Sequence, residues 1–287
     1  MSNRIKVAAV QMVSSTSLEK NLEDAARLVE DAAVRGAELV VLPEYFCIMG
    51  ADETDKVKIG EPEGRGRIQD FLRETATANN IVLVGGTAPL VSTTSGKVRN
   101  TTLVFAPNGE RLAKYDKIHL FSLNGGAPDR KGAEEETPGE SFDEARTIAA
   151  GREPAVFSAQ FGAGALQVGL SICYDLRFPE LYRKLIDGGK TSLIVVPSAF
   201  TAVTGKAHWE ILLRARAIEN QCYVLAAAQG GTHENGRRTW GHSMLIDPWG
   251  EVHAELAEGE GVVLGEIDPS FIARVREKLP ALKHRVL

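Results

Sequence analysis

Two short runs in this chain are apolar at every position: Leu39-Val40-Val41-Leu42, which stops at Pro43-Glu44, and Leu193-Ile194-Val195-Val196, which stops at Pro197-Ser198. A strand with one wet face alternates in polarity. A strand that is apolar throughout has to be covered on both faces, so each run demands packing above and below a sheet. The neighbouring sequence supplies the covering. Ile5 to Met12 is another apolar run of strand length, and Thr16 with Glu19 three residues on forms a capping box. Leu22, Ala25, Val29 and Ala32 then share one helical face, and Gly36 stands at the expected helix end. Residues 65–79 predict a second helix, with Ile68, Phe71, Leu72 and Thr75 inward, leading into a strand over Ile81–Gly86.

The order then changes. Pro107-Asn108-Gly109-Glu110, between Thr101–Phe105 and Arg111–Tyr115, is the strongest hairpin signal in the chain. Ala155–Gln160 and Ala165–Ile172 form a second strand pair around Phe161-Gly162-Ala163-Gly164, and Phe178-Pro179 opens a helix. Ile211, Ala215, Ile218 and Gln221 mark another helix; Tyr223–Ala228, Met244–Ile246 and Val262–Ile267 are strands, with a turn at Pro248-Trp249-Gly250. Because Leu193–Ser198 echoes Leu39–Glu44, the expected architecture is an α/β sandwich of two similar halves, each a mixed sheet with helices outside. Residues 122–141 are rich in Gly, Pro and acid and read as a long irregular loop, and residues from about 268 as a C-terminal tail. Neither is a domain boundary, so residues 1–287 are expected to form a single domain.

Charge narrows the function classes. Lys and Arg number 33 against 38 Asp and Glu, a formal charge of −5 with pI ≈ 5.8, which argues against nucleic acid or an anionic membrane as partner and for a small molecule. The opening MSNRIKVAAVQMV has no secretory pattern and no long apolar stretch follows, so a cytoplasmic location is expected; the sequon Asn100-Thr101-Thr102 then has no meaning. The three cysteines, 47, 173 and 222, include no CxxC pair. The six histidines include no HExxH and no pair at metal spacing, so a metal site has no support. His119, His208 and His242 read as hydrogen-bonding residues.

Cys173 is the sharpest candidate for chemistry. It ends a buried strand just ahead of Tyr174-Asp175-Leu176-Arg177, a setting in which free backbone N–H groups would lower the thiol pKa and serve a developing oxyanion. Cys222, at a helix-to-strand junction between apolar residues, and Cys47, in the loop after Glu44, read as structural. Glu44, at the carboxyl end of a strand, is placed to enter a cleft, and Lys117, in a partly apolar segment, carries little by itself. Two motifs are incomplete: Gly189-Lys190-Thr191 lacks the leading glycine of a phosphate loop, and Gly241-His242-Ser243-Met244-Leu245 lacks the last glycine of a serine-hydrolase elbow.

Three blocks together resemble the nitrilase superfamily of carbon–nitrogen hydrolases: Val41-Leu42-Pro43-Glu44, Tyr115-Asp116-Lys117-Ile118-His119-Leu120-Phe121, and Ser171-Ile172-Cys173-Tyr174-Asp175-Leu176-Arg177-Phe178-Pro179-Glu180. Pro197–Thr201, Thr204–Glu210 and Arg214–Tyr223 are similar to its amidase branch. The resemblance spans nearly the whole chain and implies an α-β-β-α sandwich that pairs into homodimers. It implies a triad of Glu44 as general base, Lys117 and Cys173 as nucleophile, with Lys117 and the Tyr174 N–H at the oxyanion and no metal or organic cofactor. It also implies Glu144 as a second glutamate, and Arg177 and Thr204 as holders of a substrate carboxylate. The chain departs from the pattern in the longer 122–141 segment and in Ala145, where serine is usual. The implied activity is hydrolysis of a short, carboxylate-bearing α-keto acid amide; a nitrile or an N-carbamoyl amino acid would use the same triad. The alternatives from other classes are an idle scaffold of this fold and a serine hydrolase built on Ser243.

Overall fold

Both all-apolar runs lie inside sheets. In the computed structural model, which describes residues 4–123 and 141–286, the Leu39–Val41 strand runs parallel between Ile5–Gln11 and Val82–Val84. Gly261–Ile267, Val98–Phe105, Ala88–Val91 and Arg111–Asp116 complete a seven-stranded sheet by antiparallel pairing. Leu193–Ser198 holds the same place in a six-stranded sheet, parallel to Gly164–Leu170 and Tyr223–Ala228, with Ala155–Phe161, Ser243–Ile246 and Val252–Leu256 antiparallel. The result is the expected sandwich of mixed sheets.

Alternate residues of the first run serve different cores. Leu39 and Val41, with Val7, Ala9, Val82 and Val84, join Leu193–Val196 in one cluster, whereas Val40 and Leu42 pack with Leu22, Ala25, Val29, Ile68 and Leu72 under the outer helices. Both sets leave water, which is why no polar position survives in the run.

Some local expectations shift. The helix Leu18–Val34 is capped by Ser17, whose side chain accepts from the Lys20 amide, while Thr16 Oγ1 instead donates to Glu234 at 2.6 Å. The second helix is Arg67–Ala78. The expected tail forms the helix Pro269–Lys278, capped by Asp268 and burying Ile272 and Val275. The largest correction concerns the helix Ala202–Asn220. Ile211 and Ile218, whose spacing marked the helix, are 71% and 48% exposed, and the buried face carries Trp209, Leu213, Arg216 and Ala217. A buried arginine hides the true periodicity: Arg216 Nε and Nη2 donate to the Leu176 carbonyl at 3.0 and 2.8 Å, which satisfies the guanidinium inside.

Most of the expected 122–141 loop, residues 124–140, lies outside the described residues; its edges, Ser122–Leu123 and Phe142–Asp143, pair antiparallel. Among the described residues, no helix is long and apolar enough to cross a membrane.

Candidate active site

Three strand ends on two sheets deliver the site. The Leu39–Val41 strand stops because Pro43 has no N–H to continue the ladder, and Glu44 follows, 1% exposed. The turn is tight: Gly86, at φ +51°, packs where a Cβ would stand 2.1 Å from the Pro43 carbonyl oxygen, so only glycine fits. Lys117 follows Arg111–Asp116; its amide donates to the Asn100 carbonyl at 2.9 Å and its side chain is fully buried. Cys173 begins a 3-10 turn, Cys173–Arg177, two residues beyond the Gly164–Leu170 strand.

Cys173 has φ +48°, a conformation that costs a non-glycine residue about 1–3 kcal/mol and persists only where its surroundings enforce it. Asp175, wholly buried, does much of the enforcing. Its carboxylate accepts from the Ile172 amide at 2.9 Å, the Tyr115 hydroxyl at 2.7 Å and the His119 amide at 3.0 Å, and pairs with His119 Nδ1 at 2.7 Å. Arg216, on the Leu176 carbonyl, fixes the other side of the turn.

Lys117 Nζ lies between two carboxylates, 2.8 Å from Glu44 Oε1 and 2.9 Å from Glu144. Glu44 also accepts from Asn100 Nδ2 at 2.9 Å and the Ala199 amide at 3.0 Å, and it lines the same cleft as Cys173. Glu144 accepts from the Tyr45 hydroxyl and the Phe121 amide, each at 2.7 Å. The two glutamates therefore titrate apart. Burial, then the charge of Glu144, raise Glu44 above the usual carboxylate range in spite of Lys117. Glu144 is buried too, but Lys117 and its two further donors outweigh burial and hold it below that range. Such a split makes Glu44 the readier of the two to take up a proton and Glu144 the readier to stay charged.

The thiol differs from the expectation. Burial first, and the Glu44 charge second, push Cys173 well above the ordinary cysteine range, more than Lys117 lowers it. The five-residue turn does not supply the acidifying environment of a helix end, so the Cys173 thiol is raised rather than lowered.

Glu44, Glu144 and Cys173 line one open cleft of about 560 Å³, with Tyr45, Phe142 and Arg237 among its walls. Cys173 also lines a second cleft, of about 210 Å³, which holds the remaining predicted residues, Tyr174, Arg177 and Thr204. Arg177 lies 5.7 Å from the Tyr174 ring centre and 5.3 Å from that of Phe200, with Nη1 3.1 Å from His208 Nδ1. Thr204 Oγ1 is 2.8 Å from Thr201 Oγ1.

The carbon-nitrogen hydrolase family profile matches residues 6–277. The chain belongs to the carbon-nitrogen hydrolase family. It is 44% identical over 97% of its length to the deaminated glutathione amidase of Synechocystis sp., of which it covers 97%. It is 36% identical to omega-amidase NIT2-A of Xenopus laevis, covering 98% of this chain and 95% of that one. Among solved structures it is similar to Saccharomyces cerevisiae Nit3, of branch 10 of the nitrilase superfamily, with TM-score 0.84 and 32% identity over 100% of this chain and 98% of the other.

Within this carbon-nitrogen hydrolase the competing motifs have structural occupations. Ser243 sits in a strand, and its buried hydroxyl accepts the Ala228 amide at 2.9 Å, so it is no elbow serine. The carbonyls of Gly189 and Thr191 accept from Arg276, leaving that segment no cradle of amides. Cys47 and Cys222 are buried, and burial pushes each thiol up to about 12. His119 pairs with Asp175, His208 with Arg177 and His242 with Glu255. Asp247, Glu251 and His253 gather within 4.8 Å, and Asp247 spends its oxygens on the Trp249 and Glu251 amides and on His253 Nε2.

Sequence reasoning missed Asn100, Tyr45, Asp175 and the Ala199 amide. Asn100 was visible only as a sequon and Asp175 only inside a resembling block; their contacts join segments 56 or more residues apart, which no local signal encodes.

Proposed function

We propose that this carbon-nitrogen hydrolase is a thiol-dependent amidase with Glu44, Lys117 and Cys173 as its catalytic triad and Glu144 as a supporting glutamate. The observation that carries the proposal is the Lys117 ammonium held between two buried carboxylates that line the same cleft as Cys173. Glu44, raised by burial, takes the thiol proton as sulfur adds to the amide carbon. Lys117 and the Tyr174 N–H stabilise the oxyanion, a kind of donor worth about 3–4 kcal/mol when removed. Collapse breaks the C–N bond, and the amine leaves with the proton from Glu44. Water then attacks the thioester, giving one proton to Glu44 that returns to the Cys173 sulfur as it departs. Glu144, held ionised, keeps Lys117 charged and aimed.

The substrate assigned is deaminated glutathione, with α-ketoglutaramate as the alternative, in line with what the two relatives are named for. Both present an α-keto acid carboxylate to Arg177 and Thr204. Arg177→Lys, which keeps the charge and loses the bidentate fork, should raise KM for either substrate about tenfold; an unchanged KM removes Arg177 from the site. Mass spectrometry of products from each substrate, with Cys173→Ala as control, separates the assignments: cysteinylglycine release supports the first, preferential ammonia release the second, and turnover of neither refutes both.

The pH profile tests the division between the glutamates. Glu44 must be ionised to accept the thiol proton, so kcat/KM should fall as pH drops through a pKa above the ordinary glutamate range. Glu144→Gln removes a charge that raises Glu44 and leaves Lys117 to act on Glu44 alone, so the acid limb should move to lower pH. An acid limb unmoved in that variant would mean that a different group sets it.

The chain is further proposed to be one cytoplasmic domain that forms a homodimer. The family match over residues 6–277 and the buried contacts of the last helix support the single domain, and three unpaired cysteines suit a reducing compartment. Ile211, Ile218 and Trp249, all exposed, support the dimer: Trp249 is 61% exposed and its turn abuts Ile218. Sedimentation showing only monomer at micromolar concentration would remove it.

A further inference from the structure

Cys173 lies, with Phe121, Ala199 and Thr201, where two clefts meet, and the clefts differ in what else they contain. The smaller holds Arg177 and Thr204 and neither glutamate; the larger holds both Glu44 and Glu144. An acyl transfer with Glu44 as proton carrier orders these spaces. The departing amine must take its proton from Glu44, so it leaves from the larger cleft, while the acyl part stays beside Arg177.

The larger cleft has cationic groups of its own: Lys56, Arg237 and Arg238, facing Glu53 and Asp143 in addition to the two glutamates that share Lys117. Lys56 is committed to Glu53 at 2.6 Å, and Arg238 is 67% exposed with Glu258 at 4.0 Å. Arg237 is different. Its side chain is 30% exposed and its guanidinium carbon lies 4.5 Å from the Phe142 ring centre, which sets its plane against the cleft wall. Among the described residues its side chain has one hydrogen bond, to the Met49 sulfur at 3.8 Å, and one ion pair, with Glu53 at 3.7 Å. That glutamate is already the partner of Lys56. A guanidinium carries five N–H donors in a planar fork, so Arg237 reaches the cleft with most of them unspent on the described residues.

We propose that Arg237 binds a carboxylate on the leaving amine, so that the enzyme selects amides whose leaving group is an amino acid or short peptide over those that release ammonia. The proposal rests on the amidase reading above and deepens it. A dipeptide leaving group ends in a carboxylate several bonds beyond its reacting nitrogen, and an arginine on the wall of the cleft that Glu44 lines is the complementary group. The scissile nitrogen then lies between two anchors, Arg177 on the acyl side and Arg237 on the amine side, which holds the amide across the thiol.

Two measurements test this, one of which needs no turnover. Cysteinylglycine and its C-terminal amide are titrated into Cys173→Ala protein with NMR detection, and the acid is expected to bind about tenfold more tightly than the amide. Equal affinity, or none for either, overturns the proposal whatever the enzyme hydrolyses. In the active enzyme, kcat/KM is compared for deaminated glutathione and its C-terminal amide, which share an acyl group. The acid is expected to be favoured about tenfold, the preference to collapse toward unity in Arg237→Gln, and to be recovered in part in Arg237→Lys. A variant that lowers both substrates equally and keeps the preference assigns Arg237 a structural role and refutes the proposal. Discriminating binding without turnover of either compound would instead refute the acyl assignment and leave Arg237 in place.

Discussion

Replacing Cys173 with alanine is expected to reduce amide turnover on the order of 10³-fold or more, while Cys222→Ala keeps most of the wild-type rate. The three thiols are not separated by acidity. Burial raises all of them, Cys47 and Cys222 to about 12 and Cys173 well above the ordinary range. What singles out Cys173 is a carboxylate on the wall of the same cleft, an ammonium held beside that carboxylate, and a position on the walls of two clefts. Cys222 has Arg276 and Glu219 as its charged neighbours and is wholly enclosed. The same difference predicts that a small alkylating reagent modifies Cys173 faster than Cys47 or Cys222, read by peptide mass spectrometry. Loss of turnover in Cys222→Ala with retention in Cys173→Ala would refute the choice of nucleophile.

Lys117→Met is expected to cost about 3–5 kcal/mol of folding stability as well as turnover, because it leaves two buried carboxylates without their shared counter-charge. The Glu44 and Glu144 side chains are 1% and 10% exposed, so water cannot replace the ammonium, and one of them must take up a proton or the site must open. Adding Glu144→Gln to Lys117→Met removes one of the two opposed charges and should recover part of the lost stability but none of the activity. Urea denaturation and product release, measured on both variants, separate the effects. Stability of Lys117→Met within about 0.5 kcal/mol of wild type would show that the two glutamates do not depend on Lys117 for their ionisation.

The sandwich was legible in the chain because burial on both faces of a strand leaves a mark at every residue, and Leu39–Leu42 and Leu193–Val196 carry it without interruption. The hairpin was legible for a similar reason, since turn chemistry is local, and the first helix start to within a residue, its cap falling on Ser17 rather than Thr16. The helix Ala202–Asn220 shows where that reach ends. Its existence followed from spacing, but its inner face did not, because Arg216 is buried by a carbonyl 40 residues away while Ile211 faces outward. The site divides in the same way. Glu44, Lys117 and Cys173 each stand where a strand stops, and resembling blocks marked all three.

Their chemistry was decided only by tertiary structure. A side chain's pKa depends on who surrounds it and how little water remains, and the surroundings of Cys173 come from segments far apart in sequence: Glu44, Lys117, Glu144 and the Ala199 amide. From its place before a polar turn the thiol read as acidified; enclosed with Glu44 it is raised. Local sequence determined the strands, their ends and the residue types placed at those ends, because backbone hydrogen bonding and burial periodicity act over a few residues. Tertiary packing alone decided that one glutamate is raised and the other held low, and that Cys173 opens onto two clefts, because electrostatics and cavity shape are sums over neighbours that the chain brings together only when folded.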